Sequence, residues 1–272
     1  MEARILISAE QIRSIAREEE LPAAVVEKDY ALTWLLRGFY LNESKLRKSL
    51  ILKGGTAIRK AYFPQTWRFS EDLDFTATQS KNGEAIKNSM EQILVALRSE
   101  AGIRYSIHSF HTTEGAAIAN IQYLGPLNFT GRIKHDISLK EKLVLKPESH
   151  KVKTNFPDLP EFKILVYPLA EIIAEKIRSI MQRGYSRDYY DVWRLLNETD
   201  LKTSDMRKLV IQKCELNAIK YQPELIFDEN RLDEAHAFWI KGLRHLTKNL
   251  PEFDIVIREL KITLSPLVGD TP

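Results

Sequence analysis

Apolar residues recur along the chain with two different spacings, which predict helices in some segments and strands in others. Around Leu73 and Phe75, apolar and polar residues alternate as in a strand with one buried face. The segment 82–100 instead has the spacing of an amphipathic helix, with Asn82 as its expected N-cap. The first predicted helix is capped by Ser8, with Gln11 as its capping-box partner. The elements that follow it in the first hundred residues are a helix over 23–40, a short helix at 44–49, a strand at 49–53, a helix at 56–63, the strand near 72–75 and the helix at 82–100.

The remainder of the chain predicts three strands, a loop, one more strand and then helices only. Glycines and prolines divide these segments, since they favour turns. Residues 141–162 contain three prolines and are expected to form a loop or linker. The predicted elements are three strands within 103–140, a short strand at 162–167, a helix from Pro168 to Gly184, a helix over 187–197 and further helices over 203–265.

These elements predict an α+β fold, with a small mixed β-sheet core, N-terminal helices and a C-terminal helical domain. The core with its N-terminal helices is expected over 1–165. The helical domain is expected over 166–272, where it would complete the active-site cleft. The strands are not separated by regular crossover helices, which argues against a Rossmann-type sheet.

Composition narrows the class of protein. The chain of 272 residues is 44% hydrophobic and 28% charged, which is ordinary for a globular protein. Cys214 is the only cysteine, so intramolecular disulfides and cysteine-based zinc clusters are excluded. The N-terminus has no apolar signal core, and no apolar stretch is long enough to span a bilayer. We therefore expect a cytoplasmic protein with no membrane partner, whose net charge of +3 permits a nucleic-acid partner without arguing for one.

The candidate chemistry begins at a Gly-Gly pair between a predicted strand and a predicted helix. Glycine lets the backbone approach a phosphate closely, and the first residues of a helix present unpaired N–H groups. Gly54, Gly55 and Thr56 are therefore candidates for holding a phosphate group. A Gly-Gly pair is also common in simple turns, and the chain contains no Walker-type phosphate loop.

Asp72 and Asp74 lie two residues apart in a predicted strand, so both carboxylates are expected on one face. Two carboxylates on one face repel each other, and a divalent cation relieves that repulsion. Mg²⁺ that holds substrate phosphates typically uses one or two carboxylates. The alternative is an exposed edge strand with no ligand.

Asp136 is the candidate third carboxylate. In its strand, Lys134 and Asp136 share the polar face, while Ile133, His135 and Ile137 share the apolar face. If the polar face lines the cleft, Asp136 would join Asp72 and Asp74 at the metals or take a proton from the attacking hydroxyl. The alternative is a Lys-Asp pair on an exposed surface, which is common and weak.

The order Gly-Gly-Thr, then Arg68-Phe69-Ser70-Glu71-Asp72-Leu73-Asp74-Phe75, then Lys134-x-Asp136, resembles the AbiEii family of nucleotidyltransferase toxins, within the polymerase-beta-like superfamily. The segment VEKDYALTWLL at 26–36 is similar to this family as well. The resemblance extends to about residue 197. It implies that the Gly-Gly element and the Asp-x-Asp pair bind the triphosphate and metals. The residues expected to contact the nucleotide are Lys53, Gly54, Gly55, Thr56, Arg68, Ser70, Lys134 and Arg187.

The helical segment 175–195 resembles the third motif of the family, a Lys followed by Arg and then Arg-Asp-x-x-Asp. On that resemblance, Lys176, Asp188 and Asp191 join the catalytic residues, and Arg183 and Arg187 carry over as further residues of the motif. The residues themselves allow a simpler interpretation. Lys176 borders an apolar stripe and would normally extend its charge to water, and Arg187 and Asp191 would pair on the helix surface.

The resemblance implies a metal-dependent transfer of NMP from an NTP to an acceptor, with Mg²⁺ or Mn²⁺ as cofactor and pyrophosphate as product. We expect the 3′ end of an RNA, most plausibly tRNA, as acceptor, and a toxin whose antitoxin is encoded nearby. Basic residues of the helical half would contact RNA phosphates. These are Arg178, Arg183, Arg187, Arg194, Lys202, Arg207, Lys208 and Lys213. A protein hydroxyl as acceptor, a nucleotide-sugar as donor, and a nucleotide-binding protein without turnover are the alternatives.

Other conspicuous residues are expected to be structural. The six histidines show no metal-ligand spacing, and Trp34, Trp67, Trp193 and Trp239 are expected in the core or at domain contacts. Glu27, Lys28 and Asp29 are expected on the wet side of an amphipathic helix.

Overall fold

The computed structural model describes residues 6–41, 44–64, 66–78 and 82–268. The chain forms two compact units. The first consists of Met1–Glu141 and Pro147–Tyr167, and the second of Lys142–Lys146 and Pro168–Pro272. The expected α+β architecture, a mixed sheet with N-terminal helices and a helical C-terminal part, is confirmed.

The first unit is built on one mixed sheet. Its strands are β1 (Leu50–Lys53), β2 (Asp72–Ala77), β3 (Arg104–Thr112), β4 (Ala116–Leu124), β5 (Thr130–Ser138), β6 (Glu148–Lys151) and β7 (Lys163–Val166), in the spatial order β3-β4-β5-β2-β1-β7-β6. β2 runs parallel to β5 and β1 runs parallel to β7, while the other neighbours are antiparallel.

Helices α1 (Ala9–Glu18), α2 (Ala23–Tyr40) and α4 (Gly83–Glu100) belong to the same unit. Ser8 and Gln11 form the expected capping box of α1, and Asn82 caps α4 through the N–H groups of Glu84 and Ala85. α2 packs on β2 and β5, and α4 packs on β3 and β4. The aromatic ring of Phe39 in α2 lies 5.4 Å from Phe75, which places the apolar face of the sheet against these helices.

Three predicted elements differ in the structure. The segment 44–49 forms turns, because six residues without an apolar stripe to bury do not sustain a helix. The segment 141–162 contains β6, a polar edge strand that lacks an alternating pattern. The helix expected from Thr56 begins at Gly54 as α3 (Gly54–Ala57) and continues as a π-helical turn over Ile58–Tyr62.

The second unit contains helices only, within its described residues. They are α5 (Leu169–Arg183), α6 (Ser186–Glu198), α7 (Thr203–Leu216), a 3-10 turn (Pro223–Phe227), α8 (Glu229–Ala237), α9 (Trp239–Leu243), α10 (Phe253–Thr263) and α11 (Ser265–Val268). Gly184 ends α5 in the left-handed conformation, as its position in the sequence predicts. No helix in the described part of the chain is long and apolar enough to cross a membrane.

Candidate active site

The three predicted carboxylates of the first unit lie on adjacent strands. Asp72 and Asp74 are two apart in β2, and Asp74 pairs in register with Asp136 of the parallel strand β5. Residues in register on neighbouring strands project to the same face of a sheet. Asp136 therefore lies on the same face as Asp72 and Asp74. Since β2 lies between β1 and β5, the alternative of an exposed edge strand is wrong.

The Gly-Gly turn meets these carboxylates directly. Lys53, the last residue of β1, pairs in register with Asp74, so the chain turns into α3 beside that carboxylate. Gly54 has a φ of 70°, and a Cβ atom on it would lie 2.6 Å from Oδ2 of Asp74. Any other residue would be strained in backbone and would collide with the carboxylate. Glycine at this position therefore keeps the backbone against Asp74.

Polar groups surround the second glycine as well. A Cβ atom on Gly55 would lie 3.1 Å from Nη2 of Arg68 and 3.1 Å from Oγ of Ser70. Arg68 is buried, and its Nη1 donates a hydrogen bond to the carbonyl of Phe69 at 3.0 Å. The turn thus has a guanidinium and a hydroxyl group against its backbone. Both groups are suited to bind a phosphate oxygen.

The side chain of Thr56 connects the Gly-Gly turn to β2. Its hydroxyl donates to the carbonyl oxygen of Asp72 at 2.6 Å, and the residue is buried. The side chain therefore positions the start of β2 against α3. Only the backbone of Thr56 belongs with the Gly-Gly turn as a candidate phosphate contact.

Two lysines balance the acidic groups. Lys53 pairs with Glu141, and both side chains are largely buried. Nζ of Lys134 lies 3.2 Å from Oδ2 of Asp136, where both side chains are substantially exposed. The second pair is the one expected from the sequence, and its exposure makes its contribution to stability small. Glu141 was not expected from the sequence because it follows β5 in a segment with no distinctive pattern.

The donor set suits a hard divalent cation. Carboxylate oxygens are the ligands of Mg²⁺, which commonly combines one or two of them with waters and substrate phosphates. Within the described residues, no group of three or more histidine, cysteine, aspartate or glutamate side chains is arranged to hold a metal ion by itself. Asp72 and Asp74, next to a phosphate-type turn, therefore suit a metal ion that is bound jointly by these carboxylates and by the phosphates of a nucleotide. They suit a metal ion held by protein ligands alone less well.

The remaining predicted residues form a cluster inside the second unit. Nζ of Lys176 in α5 lies 2.8 Å from Asp188 and 2.9 Å from Asp191, both in α6. The expectation that Lys176 extends its charge to water is wrong, because two buried carboxylates hold it between the helices. Asp191 is fully buried, so it does not lie on the helix surface, where the simpler interpretation placed it.

Two arginines flank this cluster. Nη2 of Arg183 lies 3.3 Å from Oδ2 of Asp188, and its guanidinium lies 4.7 Å from the centre of the Tyr185 ring. Nε of Arg187 donates to the carbonyl of Gly242 at 3.2 Å. The predicted site residues thus fall into two sets, one within each unit.

The charged residues at the start of α2 were misassigned. Glu27 and Asp29 are buried and do not lie on a wet face. Asp29 pairs with the buried Lys60 at 2.8 Å, and Glu27 accepts a hydrogen bond from the N–H of Leu127. Burial raises the pKa of the Glu27 carboxyl, and the bond from Leu127 opposes this shift. The missed signal is the apolar character of α2 on every side, which is typical of a buried helix.

Three of the four tryptophans and one of the histidines are core residues. Trp34, Trp67 and Trp239 are in the core. His135 is completely buried beside Phe39, and burial lowers its pKa to about 3, so it is neutral in the folded protein.

Comparisons with known proteins identify the family to which the chain belongs. A family model described as the nucleotidyl transferase AbiEii toxin of type IV toxin-antitoxin systems matches residues 34–259. The chain belongs to the AbiEii family. It is therefore a nucleotidyltransferase and the toxin of a type IV toxin-antitoxin system, which implies an antitoxin as its partner.

A solved structure shares the fold of this AbiEii protein. It is MenT4, a nucleotidyltransferase toxin from Mycobacterium tuberculosis H37Rv, with a TM-score of 0.75 and 18% sequence identity. The match covers 97% of this chain and 91% of that chain. At this identity the likeness establishes the fold alone. No curated protein sequence matches the chain.

Proposed function

We propose that this AbiEii protein uses a divalent metal to transfer NMP from an NTP to the 3′-hydroxyl of an RNA, most plausibly tRNA, in the cytoplasm. The observation that carries the proposal is the register of β1, β2 and β5. It puts Asp72, Asp74 and Asp136 on one face, directly beside the Gly54-Gly55 turn.

Each group has a role in this reaction. The backbone at Gly54, Gly55 and Thr56, with Lys53, Arg68 and Ser70, would bind the triphosphate. Asp72 and Asp74 would hold Mg²⁺ or Mn²⁺, which neutralises phosphate charge when bound. Asp136, next to Asp74, would complete the metal set or accept the proton of the acceptor hydroxyl. That oxygen bonds to the α-phosphorus, and the bond to the β-phosphate breaks to release pyrophosphate.

Lys176, Asp188 and Asp191 are proposed to act as one group. The two carboxylates fix the ammonium group of Lys176 at the α5–α6 interface, where 13% of its side chain remains exposed. A fixed ammonium would neutralise a phosphate oxygen as a point charge. Arg187 and Lys134 are proposed as further contacts to the nucleotide.

The structure weakens one of the arguments for an RNA acceptor, namely the basic residues of the helical half. Several of the helical-half cations that the sequence assigns to RNA are occupied within the second unit. Lys213 is completely buried against Glu171, and Arg194 pairs with Glu198 at 2.6 Å. The proposal of an RNA 3′ end therefore rests on the hydroxyl chemistry of Asp136 and on the cations of the first unit.

The test is the transfer of label from each α-³²P NTP to purified tRNA, compared with tRNA whose 3′ terminus has been oxidised. Transfer to intact tRNA alone, abolished by a chelator and restored by Mg²⁺, is expected. Asp72→Asn and Asp74→Asn should each abolish transfer at unchanged melting temperature. Glu91→Gln, an exposed acid on α4, is the matched control. Equal labelling of both tRNAs would exclude the 3′-hydroxyl, and labelling of protein alone would exclude RNA.

A further inference from the structure

The sheet of the first unit has one covered face and one open face at its β3–β4–β5 end. Ala119, Ile121 and Ile133 are buried on the side of α2 and α4. The residues that alternate with these along β4 and β5 project to the other side of the sheet, where Arg132 and Lys134 are exposed. We call this side the outer face. It includes the polar or charged residues Arg104, Ser106, Asn120, Gln122, Arg132, Lys134 and Asp136, together with the apolar residues Ile118 and Leu124.

The outer face carries cations and amides in register. Arg132 pairs with Gln122, and Lys134 pairs with Asn120. Alternate residues of a strand are about 6.6 Å apart, so Asp136, Lys134 and Arg132 form a straight row with this spacing. Such a row is suited to successive phosphates of an extended strand. Amide side chains beside the cations supply donors and acceptors for base edges.

An exposed aromatic ring lies in the loop that directly precedes β5. Phe129, in the loop before β5, has 75% of its surface exposed. It lies seven residues from Asp136, a distance of about 23 Å along the strand direction. Aromatic rings that are exposed near cationic side chains are suited to the stacking of nucleic-acid bases.

The loop that carries Phe129 is held in place. The buried carboxylate of Glu27 accepts a hydrogen bond from the N–H of Leu127. A Cβ atom on Gly125 would lie 2.9 Å from Oε1 of Glu27, so the loop packs tightly on this carboxylate. The position of the Phe129 loop is therefore set by the buried helix α2.

We propose that the outer face binds the single-stranded end of the acceptor RNA. The terminal nucleotide would lie at Asp136, a preceding phosphate on Arg132, and an upstream base on Phe129. Arg104, two strands away, would add a further phosphate contact. This inference rests on the proposed transfer to an RNA 3′ end. RNA fits better than an acidic peptide because the row ends at the carboxylates of the nucleotidyl-transfer site and combines its cations with amides and an aromatic ring.

The test uses the full chain and fluorescein-labelled oligoribonucleotides of two and eight nucleotides in anisotropy titrations. Arg132→Ala should weaken binding of the octamer about tenfold and lower the salt dependence of its affinity by about one charge. Phe129→Ala should weaken the octamer about tenfold and leave the dinucleotide unchanged, since the dinucleotide is too short to reach this ring. Arg132→Lys, which keeps the charge, should retain most of the affinity.

The matched control is Arg98→Ala. Arg98 is an exposed arginine on α4, the helix that covers the opposite face of the same strands. Its substitution should leave RNA affinity unchanged. In transfer assays, Arg132→Ala and Phe129→Ala should raise the KM for tRNA and leave the KM for NTP and the kcat at saturating tRNA unchanged.

The outcomes separate this inference from the reaction on which it rests. Equal octamer affinity in the wild type, Arg132→Ala and Phe129→Ala would overturn the outer-face proposal even if tRNA is labelled. An equal loss in Arg98→Ala would overturn it as well, as would saturable binding of an acidic peptide with no binding of RNA. If the wild type binds the octamer through the outer face but labels no RNA, the proposed acceptor fails and the binding surface stands.

Discussion

At the residue scale, two separate structural conditions each favour glycine at position 54. Its backbone is left-handed, with a φ of 70°, and its missing side chain leaves room for the Asp74 carboxylate. Either condition alone favours glycine. Together they connect the phosphate-type turn to the Asp-x-Asp pair, which the sequence presents as two separate motifs 20 residues apart.

Gly54→Ala should therefore impair both folding and activity. The strained backbone is expected to cost about 1–3 kcal/mol, and displacement of Asp74 should lower transfer about 100-fold. Thermal unfolding and label transfer measure the two effects. Gly115→Ala is the control, because its Cβ atom would meet only Cδ of Lys140 at an ordinary 3.8 Å. Wild-type activity in Gly54→Ala would contradict the close approach of the turn to Asp74.

His135 is a second residue whose environment has a measurable consequence. Its pKa is about 3 in the folded protein and about 6.5 when unfolded, so between these values the unfolded chain binds the extra proton. The stabilisation is complete above about pH 6.5 and is lost as pH falls from there towards 3. At pH 5 this single group should cost about 2 kcal/mol of unfolding free energy.

Denaturant unfolding at pH 7.5 and pH 5 tests this linkage. His135→Leu should lose about 2 kcal/mol less than the wild type between the two values. His108→Leu, at an exposed histidine of β3, should follow the wild-type dependence. A His135→Leu variant with the same pH dependence as the wild type would show that His135 is not held neutral by burial.

At the scale of elements, helices α5 and α6 are joined by charge as well as by apolar packing. Lys176 bonds to Asp188 and Asp191 across the interface, and both aspartates are buried. Removing one partner of a buried ionic group leaves the others uncompensated. A lysine that would otherwise count as a surface residue is therefore part of the structure of this helix pair.

Lys176→Met should lower the unfolding free energy by about 3 kcal/mol, since two buried carboxylates lose their common counter-charge. Lys208→Met, at an exposed lysine of α7, should change it by less than about 0.5 kcal/mol. Adding Asp191→Asn to Lys176→Met should recover part of the loss. If Lys176→Met unfolds like the wild type, the cluster is not a buried ionic group, and any loss of transfer in that variant then reports directly on the nucleotide.

At the scale of the whole molecule, membership of the AbiEii toxin family makes a prediction in cells. Induction of the wild-type protein in a bacterial host should arrest growth. Asp72→Asn should not, because it removes the proposed metal ligand and leaves the protein folded. Colony counts after induction, with immunoblots to match protein levels, measure the difference. Arrest by Asp72→Asn at equal level would separate toxicity from the proposed chemistry.

The sequence by itself determined the features that depend on neighbours along the chain. The period of two in residues 72–75 predicted that Asp72 and Asp74 share a face, and Ser8, Asn82 and Gly184 marked helix ends correctly. These features are local because the backbone geometry of a strand or a helix end repeats within a few residues. The Gly-Gly pair before a helix was recognisable for the same reason.

Only the tertiary structure decided which distant residues meet. The pairing of β2 with β5 brings Asp136 beside Asp74, although about 60 residues separate them. Because α2 is buried on every side, Glu27 and Asp29 are buried charges and not surface charges. Because α5 packs on α6, Lys176 is enclosed by Asp188 and Asp191. The partner of a side chain and its access to water depend on contacts with remote parts of the chain. The local spacing of apolar and polar residues does not indicate these contacts.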